Sequence, residues 1–247
     1  MRLALLISGS GSTAKAVIKA SQRGELAHLE PGIVVASDPN AVGIAKAKRL
    51  GVKTAVVDVK TESLLAVLLK NKIDFVSQNG WLPLTPKDVI DHYRQKIINQ
   101  HPGPLDPDGL DFGGARMYGA RVTCARVAYE WATGETKPWT ASTIHFVTEE
   151  FDKGDLVSVV KIPFSKFGRN VTIQQLEENP TKLIEITKKV QDKLLPFEHQ
   201  NVIQILQRFA NEEKIKGFKL KERLVPDRFA SILEETKTLA IKLFPRG

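Results

Sequence analysis

Asn99 and His101 form a pair of polar side chains that could take part in catalysis. They close the apolar stretch KIINQH at 96–101, and side chains two positions apart on a strand point to the same face. An amide can donate to a developing oxyanion, and an imidazole can donate or shuttle a proton near neutral pH. The pair therefore indicates either a site for polar catalysis or, as for most such pairs, structural hydrogen bonding.

A second segment, EEFDKGD at 149–155, places four carboxylates in one short loop. Such a loop is often only a solvated turn. If the chain folds back toward the imidazole of His101, however, Asp152 can act as a base or hold the ring in one orientation. The stretch ASTIHFVT precedes this loop, so His145 either lines the same site or packs in the core.

The third segment, SGSGST at 8–13, follows an apolar run and precedes a helical pattern. A strand, a glycine turn and a helix start present free backbone N–H groups to an anion. The segment matches neither the Walker pattern nor a full GxGxxG. It indicates either a phosphate site or a plain turn between two elements.

The elements that must position these segments alternate between strand and helix. Continuous apolar runs are typical of strands covered on both faces, and the alternation predicts an α/β fold with a Rossmann-like, doubly wound, mostly parallel sheet. Strands are predicted at 3–8, 32–37, 53–58, 74–80, 96–101, 141–148 and 156–164, and helices at 14–24, 41–51, 61–70, 86–95, 120–133, 181–209 and 227–243. Asp38 to Asn40 should cap the second helix, and Pro196 should kink or split the long one. Ligands bind beyond the carboxyl ends of such strands, where GSGST, QNGWLP and NQHPGP all fall.

The length and composition predict a cytoplasmic protein large enough to form an enzyme domain. Its 247 residues are 42% hydrophobic, and no segment approaches the ~20 apolar residues that cross a bilayer. The short apolar run of MRLALLISGSGS runs into a glycine turn, so we interpret it as a buried strand rather than a signal peptide. Cys124 is the single cysteine, which excludes an intramolecular disulfide, fits a reducing cytosol and indicates a buried apolar role for that residue.

The charge is strongly basic and unevenly spread. The net charge is +8, and residues 214–246 hold nine basic and four acidic side chains, a net of +5. Such a balance favours anionic partners such as phosphates, polyglutamate tails or nucleic acid. The basic tail is interpreted either as a solvated helical face or as an electrostatic footprint for RNA.

Taken together and in this order, the motifs LLISGSGS, NGWLPLTP, N-x-H-P and HFVTEEFDKGDLV resemble those of folate-dependent formyltransferases. Within that superfamily the likeness is greatest to glycinamide ribonucleotide formyltransferases, and it covers roughly residues 1–210. The resemblance implies a formyltransferase fold and transfer of a formyl group from 10-formyltetrahydrofolate to an amine. The implied partners are small molecules, a folate and a phosphorylated amine, with no metal and no membrane.

The resemblance also implies roles for particular residues. Catalysis falls to Asn99, His101 and Asp152. Asp152 would raise the pKa of His101, so that the imidazole is protonated when the oxyanion forms. The folate-binding residues implied are Trp81, Leu82, Leu84, Val147, Glu149 and Asp152, and the acceptor-binding residues are Gly9, Ser10, Gly11, Ser12, Thr13 and Glu198, the last contacting a ribose.

The same resemblance divides the chain. Residues 1–210 would form the catalytic domain, with a nucleotide-binding-like half at 1–101, an insertion at 102–139 and a folate-site half at 140–210. Residues 211–247 would form a helical, basic C-terminal extension that the minimal enzyme lacks.

Several positions depart from the family pattern. Gly103 stands where the family has Ser, Thr13 where it has Asn, Pro83 where it has Arg, and Leu195 where it has a polar residue. These departures concern the acceptor more than the formyl donor.

Three other functions therefore stay open. Methionyl-tRNA formyltransferases share the Asn-His-Asp set and carry a basic insertion and a basic C-terminal domain; here the insertion holds Arg116, Arg121 and Arg126. A sugar-nucleotide N-formyltransferase is another alternative. A third is a non-enzymatic RNA-binding module on a degenerate fold.

Overall fold

One seven-stranded sheet organises the protein, in a computed structural model that describes residues 1–166 and 171–247. The strands are β1 Arg2–Ile7, β2 Glu30–Ala36, β3 Thr54–Val56, β4 Phe75–Gln78, β5 Ile97–His101, β6 Trp139–Phe146 and β7 Leu156–Pro163. The helices are α1 Ser12–Gln22, α2 Val42–Arg49, α3 Leu64–Lys70, α4 Lys87–His92, α5 Ala120–Ala132, α6 Ile173–Glu178, α7 Thr181–Ala210 and α8 Ala230–Leu243, the last preceded by a 3₁₀ turn at Asp227–Phe229. The strand order is β3-β2-β1-β4-β5-β6-β7. The first five strands are parallel, and β6 pairs antiparallel with both β5 and β7.

The predicted α/β fold with a mostly parallel sheet is confirmed, and each predicted strand and helix is present with shifted ends. Ser63 caps α3, because its hydroxyl accepts from the Ala66 N–H at 3.1 Å. The helix α6 was not predicted. It begins in a capping box in which Thr172 and Gln175 each accept a backbone N–H of the other.

Two predicted helices differ from the expectation: the cap of α2 is wrong, and of the two alternatives at Pro196, a kink or a split, the split is excluded. Asp38 does not cap α2: Ala41 holds the N-cap position without a side-chain bond, and the Asp38 carboxylate accepts from the Asn40 N–H at 2.8 Å instead. Pro196 does not split the long helix, which is continuous from Thr181 to Ala210. Pro196 is exposed while Leu194 and Val202 are buried, so packing of the inner face holds the helix through the proline.

Both faces of the sheet are covered, which explains the continuous apolar strands. Along β1, Leu3, Leu5 and Ile7 face the helices α1, α2 and α7, whereas Ala4 and Leu6 face α3 and α4. Side chains alternate across a strand, so a strand buried on both faces needs an apolar residue at every position.

A separate core joins the insertion to the C-terminal extension. Helix α5 packs against α7 and α8, and its residues 120–131 are all buried. Apolar side chains from α5, α7 and α8, among them Val127, Leu183 and Leu239, share one cluster. Residues 230–243 therefore pack on the body of the protein through their apolar face. In the described part of the chain no helix is both long and apolar enough to cross a bilayer.

Candidate active site

A cavity of about 660 Å³ opens where β1, β4 and β5 end. Its wall includes the glycine loop at 8–13, the segment 78–85, the end of β5 and the loop after β6. The three segments singled out in the sequence thus meet at one edge of the sheet, since the carboxyl ends of parallel strands lie side by side.

Asn99, His101 and Asp152 converge on one wall of this cavity. The Asn99 amide nitrogen lies 3.3 Å from Asp152 Oδ1, and His101 Nδ1 lies 3.6 Å from Asp152 Oδ2. His101 is 3% exposed and Asp152 8%, so water screens their interaction little. The sequence separation of these residues is large, but the loop after β6 folds back over the end of β5.

His145 completes the cluster. In the antiparallel register of β5 and β6 it lies directly opposite Asn99. Its Nε2 is 3.0 Å from the Asn99 amide nitrogen and 3.3 Å from Asp152 Oδ1, while its Nδ1 is 2.7 Å from the Phe146 carbonyl oxygen. A carbonyl can only accept, so Nδ1 carries a proton, and in the neutral ring Nε2 accepts from the amide. The sequence left open whether His145 lines the site; pairing 141–148 with 96–101 would have placed it there.

Local backbone geometry holds the carboxylate in position. Asp152 has a left-handed φ of 58°, and the Gly114 N–H donates to its Oδ2 at 2.9 Å. Gly154 follows in a place where a Cβ would lie 1.7 Å from the Phe146 carbonyl oxygen. The D-x-G spacing is therefore a steric requirement of this turn. The Gly114 contact comes from the insertion and had no signal in the sequence.

Burial and mutual attraction both shift the pKa values of His101 and Asp152. Burial lowers the pKa of His101, and the nearby Asp152 carboxylate raises it only in part. Asp152 does raise the pKa of His101, as expected, but the penalty for burying a charged ring outweighs the attraction at 3.6 Å, so the net shift is downward. Burial raises the pKa of Asp152, but His101 and His145 together hold it well below its usual range. The free site therefore combines a neutral imidazole with an ionised carboxylate.

Most residues expected to bind the folate line the cavity. Trp81 is buried there, Leu82 and Leu84 are 41% and 46% exposed at its mouth, and Val147 lies on the opposite loop. Glu149 is not brought to the cavity: its carboxylate pairs with Lys87 Nζ at 3.1 Å on the surface. Apolar surface on two facing segments suits a flat heterocycle.

The glycine loop forms the part of the cavity wall next to the segment 80–82, where the Leu82 N–H donates to Ser8 Oγ at 2.9 Å. Gly9 to Thr13 all line it, and α1 begins at Ser12, so the loop directs the free N–H groups of a helix start toward the cavity. Gly11 has φ +60°, and a Cβ there would lie 2.9 Å from Gly43 Cα in α2. Glycine is thus required by both conformation and contact. This arrangement can bind a phosphate.

Glu198 faces the same space from the middle of α7. It is 8% exposed, and burial raises the pKa of its carboxyl to about 7, a shift that the Gln100 side chain partly offsets. The group is therefore close to half protonated near neutral pH and can either donate to or accept from a sugar hydroxyl.

The insertion and the extension supply a wall that the sequence did not reveal. Arg116 and Tyr118 from the insertion line the cavity, together with Arg246 and Gly247 at the end of the described chain. In the sequence, only the length of the insertion and the basic tail were unusual, and neither feature indicates that these side chains lie at the cavity.

The departure at Gly103 has a steric reason. A Cβ on this residue would lie 2.3 Å from Val122 Cγ1. Helix α5 occupies the space that a serine side chain would need, so a residue without a side chain fits at this position.

The expectation that the insertion arginines contact tRNA is wrong for two of the three. Arg121 is 5% exposed and Arg126 is 2% exposed, and both bind backbone carbonyls. Arg126 also pairs with Glu130 and lies 4.6 Å from the Trp139 ring centre. Only Arg116 is exposed. Helix α5 is buried on all sides, which leaves no basic face for a nucleic acid there. In the described ranges no three His, Cys, Asp or Glu side chains are grouped to hold a metal.

Comparison with known proteins adds a family to this geometry. The formyl transferase family matches residues 1–183. The chain is 25% identical to the chloroplastic phosphoribosylglycinamide formyltransferase of Vigna unguiculata, over 81% of this chain and 64% of that protein, so it spans less than two thirds of that relative. It is 27% identical to phosphoribosylglycinamide formyltransferase of Saccharomyces cerevisiae, over 78% of this chain and 98% of that one. The chain also resembles the crystal structure of glycinamide ribonucleotide transformylase 1 from Symbiobacterium toebii. The match covers 90% of this chain and 94% of that one at 20% identity, and the TM-score of 0.66 shows a shared fold.

Proposed function

The chain belongs to the formyl transferase family, and we propose that it transfers the formyl group of 10-formyltetrahydrofolate to the amine of glycinamide ribonucleotide. The observation that carries this proposal is the convergence of Asn99, His101 and Asp152 on the wall of a cavity that ends in an anion-binding loop. The similarity to phosphoribosylglycinamide formyltransferases of Vigna unguiculata and Saccharomyces cerevisiae supports the acceptor.

The two substrates would share this one cavity. The pterin of the folate would lie between Trp81 to Leu84 and the loop carrying Val147 and Asp152. The acceptor phosphate would bind the N–H groups of the loop at 9–13, with the ribose against Glu198. This placement brings the acceptor amine and the formyl carbon together beside Asn99 and His101. The volume of about 660 Å³ lies within the range of small-molecule sites.

The reaction needs a neutral amine and a stabilised oxyanion. The acceptor nitrogen attacks the formyl carbon, a C–N bond forms, and the carbonyl oxygen becomes negative in a tetrahedral species. The Asn99 amide donates a hydrogen bond to that oxygen, and the His101 ring donates one once it has taken up the proton of the amine; such donors contribute about 3–4 kcal/mol at comparable sites. Collapse breaks the bond between the formyl carbon and N10 of the folate, and the proton lost by the amine is finally delivered to that nitrogen.

Asp152 and His101 manage the proton in this scheme. Burial keeps His101 neutral in the free site, so the ring can take up the proton as the amine loses it. The ionised Asp152 carboxylate, 3.6 Å away, stabilises the imidazolium that results. The Asn99 amide and the Gly114 N–H donate to that carboxylate and hold it in place.

Initial rates with 10-formyltetrahydrofolate test the acceptor. Glycinamide ribonucleotide and charged initiator tRNA are supplied in parallel, and the formylated product is identified by mass. Transfer to the ribonucleotide alone is expected. Transfer to the tRNA alone would overturn the acceptor assignment, and RNA binding that weakens steeply with salt in a protein that binds no folate would overturn the enzyme assignment.

Three variants test the catalytic roles. Asn99→Ala, His101→Ala and Asp152→Asn should each lower kcat by about 100-fold or more while the fold is kept. Asp155→Asn is the matched control, because Asp155 is an exposed acid of the same loop and does not line the cavity. Rates within about threefold of the unmodified protein in all three variants would exclude this mechanism.

A further inference from the structure

Arg116 and Arg246 are the only lysine or arginine side chains among the described residues that line the cavity. Both are exposed to it, and they come from the two segments, 102–139 and 211–247, that add to the sheet-and-helix body. The cavity wall also holds acidic side chains, such as Asp38, Glu150 and Asp192, so cationic groups at this end are not part of a uniformly basic surface.

One buried guanidinium ties the two segments together. Arg121 donates from Nη1 to the Arg116 carbonyl at 2.9 Å, from Nε to the Phe244 carbonyl at 2.8 Å and from Nη2 to the Pro245 carbonyl at 2.6 Å. One of these carbonyls belongs to Arg116 itself, and the other two belong to the residues that precede Arg246. A planar fork with fixed donor directions can hold three carbonyls in one arrangement, and a lysine cannot.

Close aromatic packing fixes the same junction. The Arg121 guanidinium lies 4.4 Å from the Tyr118 ring centre, on a side chain that also lines the cavity. A Cβ on Gly247 would lie 2.2 Å from Tyr118 Cε2, so the backbone there lies flat against the ring. Gly119 also lies close to the Gly247 backbone, since a Cβ on Gly119 would be 3.0 Å from the Gly247 carbonyl carbon. The junction is therefore built to one geometry rather than loosely apposed.

From these contacts we infer that Arg116 and Arg246 bind an anionic oxygen group of a substrate, with Arg121 as the positioning residue. The inference rests on the proposed function and extends it to residues outside the segments that match the family motifs. Arg116 lies two residues after Gly114, whose N–H donates to the Asp152 carboxylate in the same cavity.

The anionic group has two possible sources with the same chemistry. One is the phosphate of the acceptor, and the other is the glutamate tail of the folate; arginine binds phosphate and carboxylate through the same paired N–H donors. Measuring both substrates separates them.

The variants are Arg116→Gln, Arg246→Gln and the double variant, with Arg94→Gln as matched control. Arg94 has an 80% exposed side chain and does not line the cavity, so its loss removes one positive charge without touching the site. We expect each cavity variant to raise one substrate's KM about tenfold, with kcat within about twofold, and the control to change neither. Added KCl should raise that KM more in the unmodified protein than in the double variant.

Which KM rises identifies the source. A rise for glycinamide ribonucleotide assigns the site to the acceptor phosphate. A rise for both the monoglutamated and the triglutamated folate assigns it to the first glutamate, and a rise for the triglutamated folate alone assigns it to the distal glutamates. Unchanged KM values for both substrates in the double variant would overturn the inference.

Arg121→Met tests the positioning role. It should raise the same KM with a smaller effect on kcat, and Arg121→Lys should not restore it. A KM for that substrate equal to that of the unmodified protein, in a variant that folds, would overturn the role. If the Met variant does not fold, the Gln variants at the two exposed positions still decide the main inference.

Calorimetry with ribose 5-phosphate and ribose keeps the inference separate from the proposed function. Binding of ribose 5-phosphate that depends on Arg116 and Arg246, in a protein without formyl transfer, would support the inference while the proposed function fails. Formyl transfer with unchanged KM values in the double variant would give the opposite result.

Discussion

Replacing Glu198 with glutamine should make the protein's stability less sensitive to alkaline pH. The carboxyl is 8% exposed, and burial raises its pKa to about 7 from an ordinary value of 4.5. A raised pKa in the folded state means that the native protein binds the proton more tightly than the unfolded chain does. The stabilising contribution is therefore full below pH 4.5 and is lost as the pH rises through about 7.

The size of the effect follows from this shift. Moving a pKa from 4.5 to about 7 corresponds to about 3 kcal/mol between the two protonation states. Part of that is already lost at about pH 5, so the change between about pH 5 and about pH 8 is about 2–3 kcal/mol. The glutamine carries no titrating group, and other ionisable groups contribute equally to both proteins. The difference in unfolding free energy, variant minus unmodified protein, should rise by that amount.

Urea unfolding followed by circular dichroism at several pH values measures this difference. Equal slopes m in the two proteins are the control, because they show that both expose the same surface on unfolding. If the difference between the two proteins is constant from about pH 5 to about pH 8, Glu198 is not buried as a proton-binding acid and the reasoning is refuted.

Other substitutions probe the steric and ionic features of the site. Gly154→Ala should abolish formyl transfer, because a Cβ 1.7 Å from a backbone oxygen forces the loop away from His101; a normal kcat would contradict this. Gly103→Ser should destabilise the protein by about 1–3 kcal/mol, and adding Val122→Ala should restore part of it in denaturant unfolding, which independent effects would not do. Arg126→Met should destabilise the protein by about 3–5 kcal/mol at pH 8, where it leaves the buried Glu130 carboxylate unpaired. The cost should be smaller at pH 5, because burial raises the pKa of Glu130 to about 7 even with the arginine present, so the carboxyl is neutral at that pH.

The elements of the sheet could be predicted because local patterns determine them. Leu3 to Ile7 are apolar at each position, and a strand covered on both faces requires this wherever it lies in the sheet. The placement of the Asn99 and Gly9 segments at strand ends followed from the same pattern. The sequence could not exclude a split at Pro196, because the missing backbone bond is local, whereas the packing that keeps α7 continuous is tertiary.

The groups that could act were recognisable from the motifs: an amide, an imidazole and a carboxylate. Short-range backbone sterics impose the spacing of these motifs, as Gly154 shows. The charge states of these groups were decided only by tertiary structure, since the pKa of His101 depends on how completely the surrounding chain excludes water. The same holds for the wall built by Arg116 and Arg246. A basic residue has no preferred direction in sequence, and only the carbonyls bound by Arg121 bring the insertion and the C-terminal segment to the cavity.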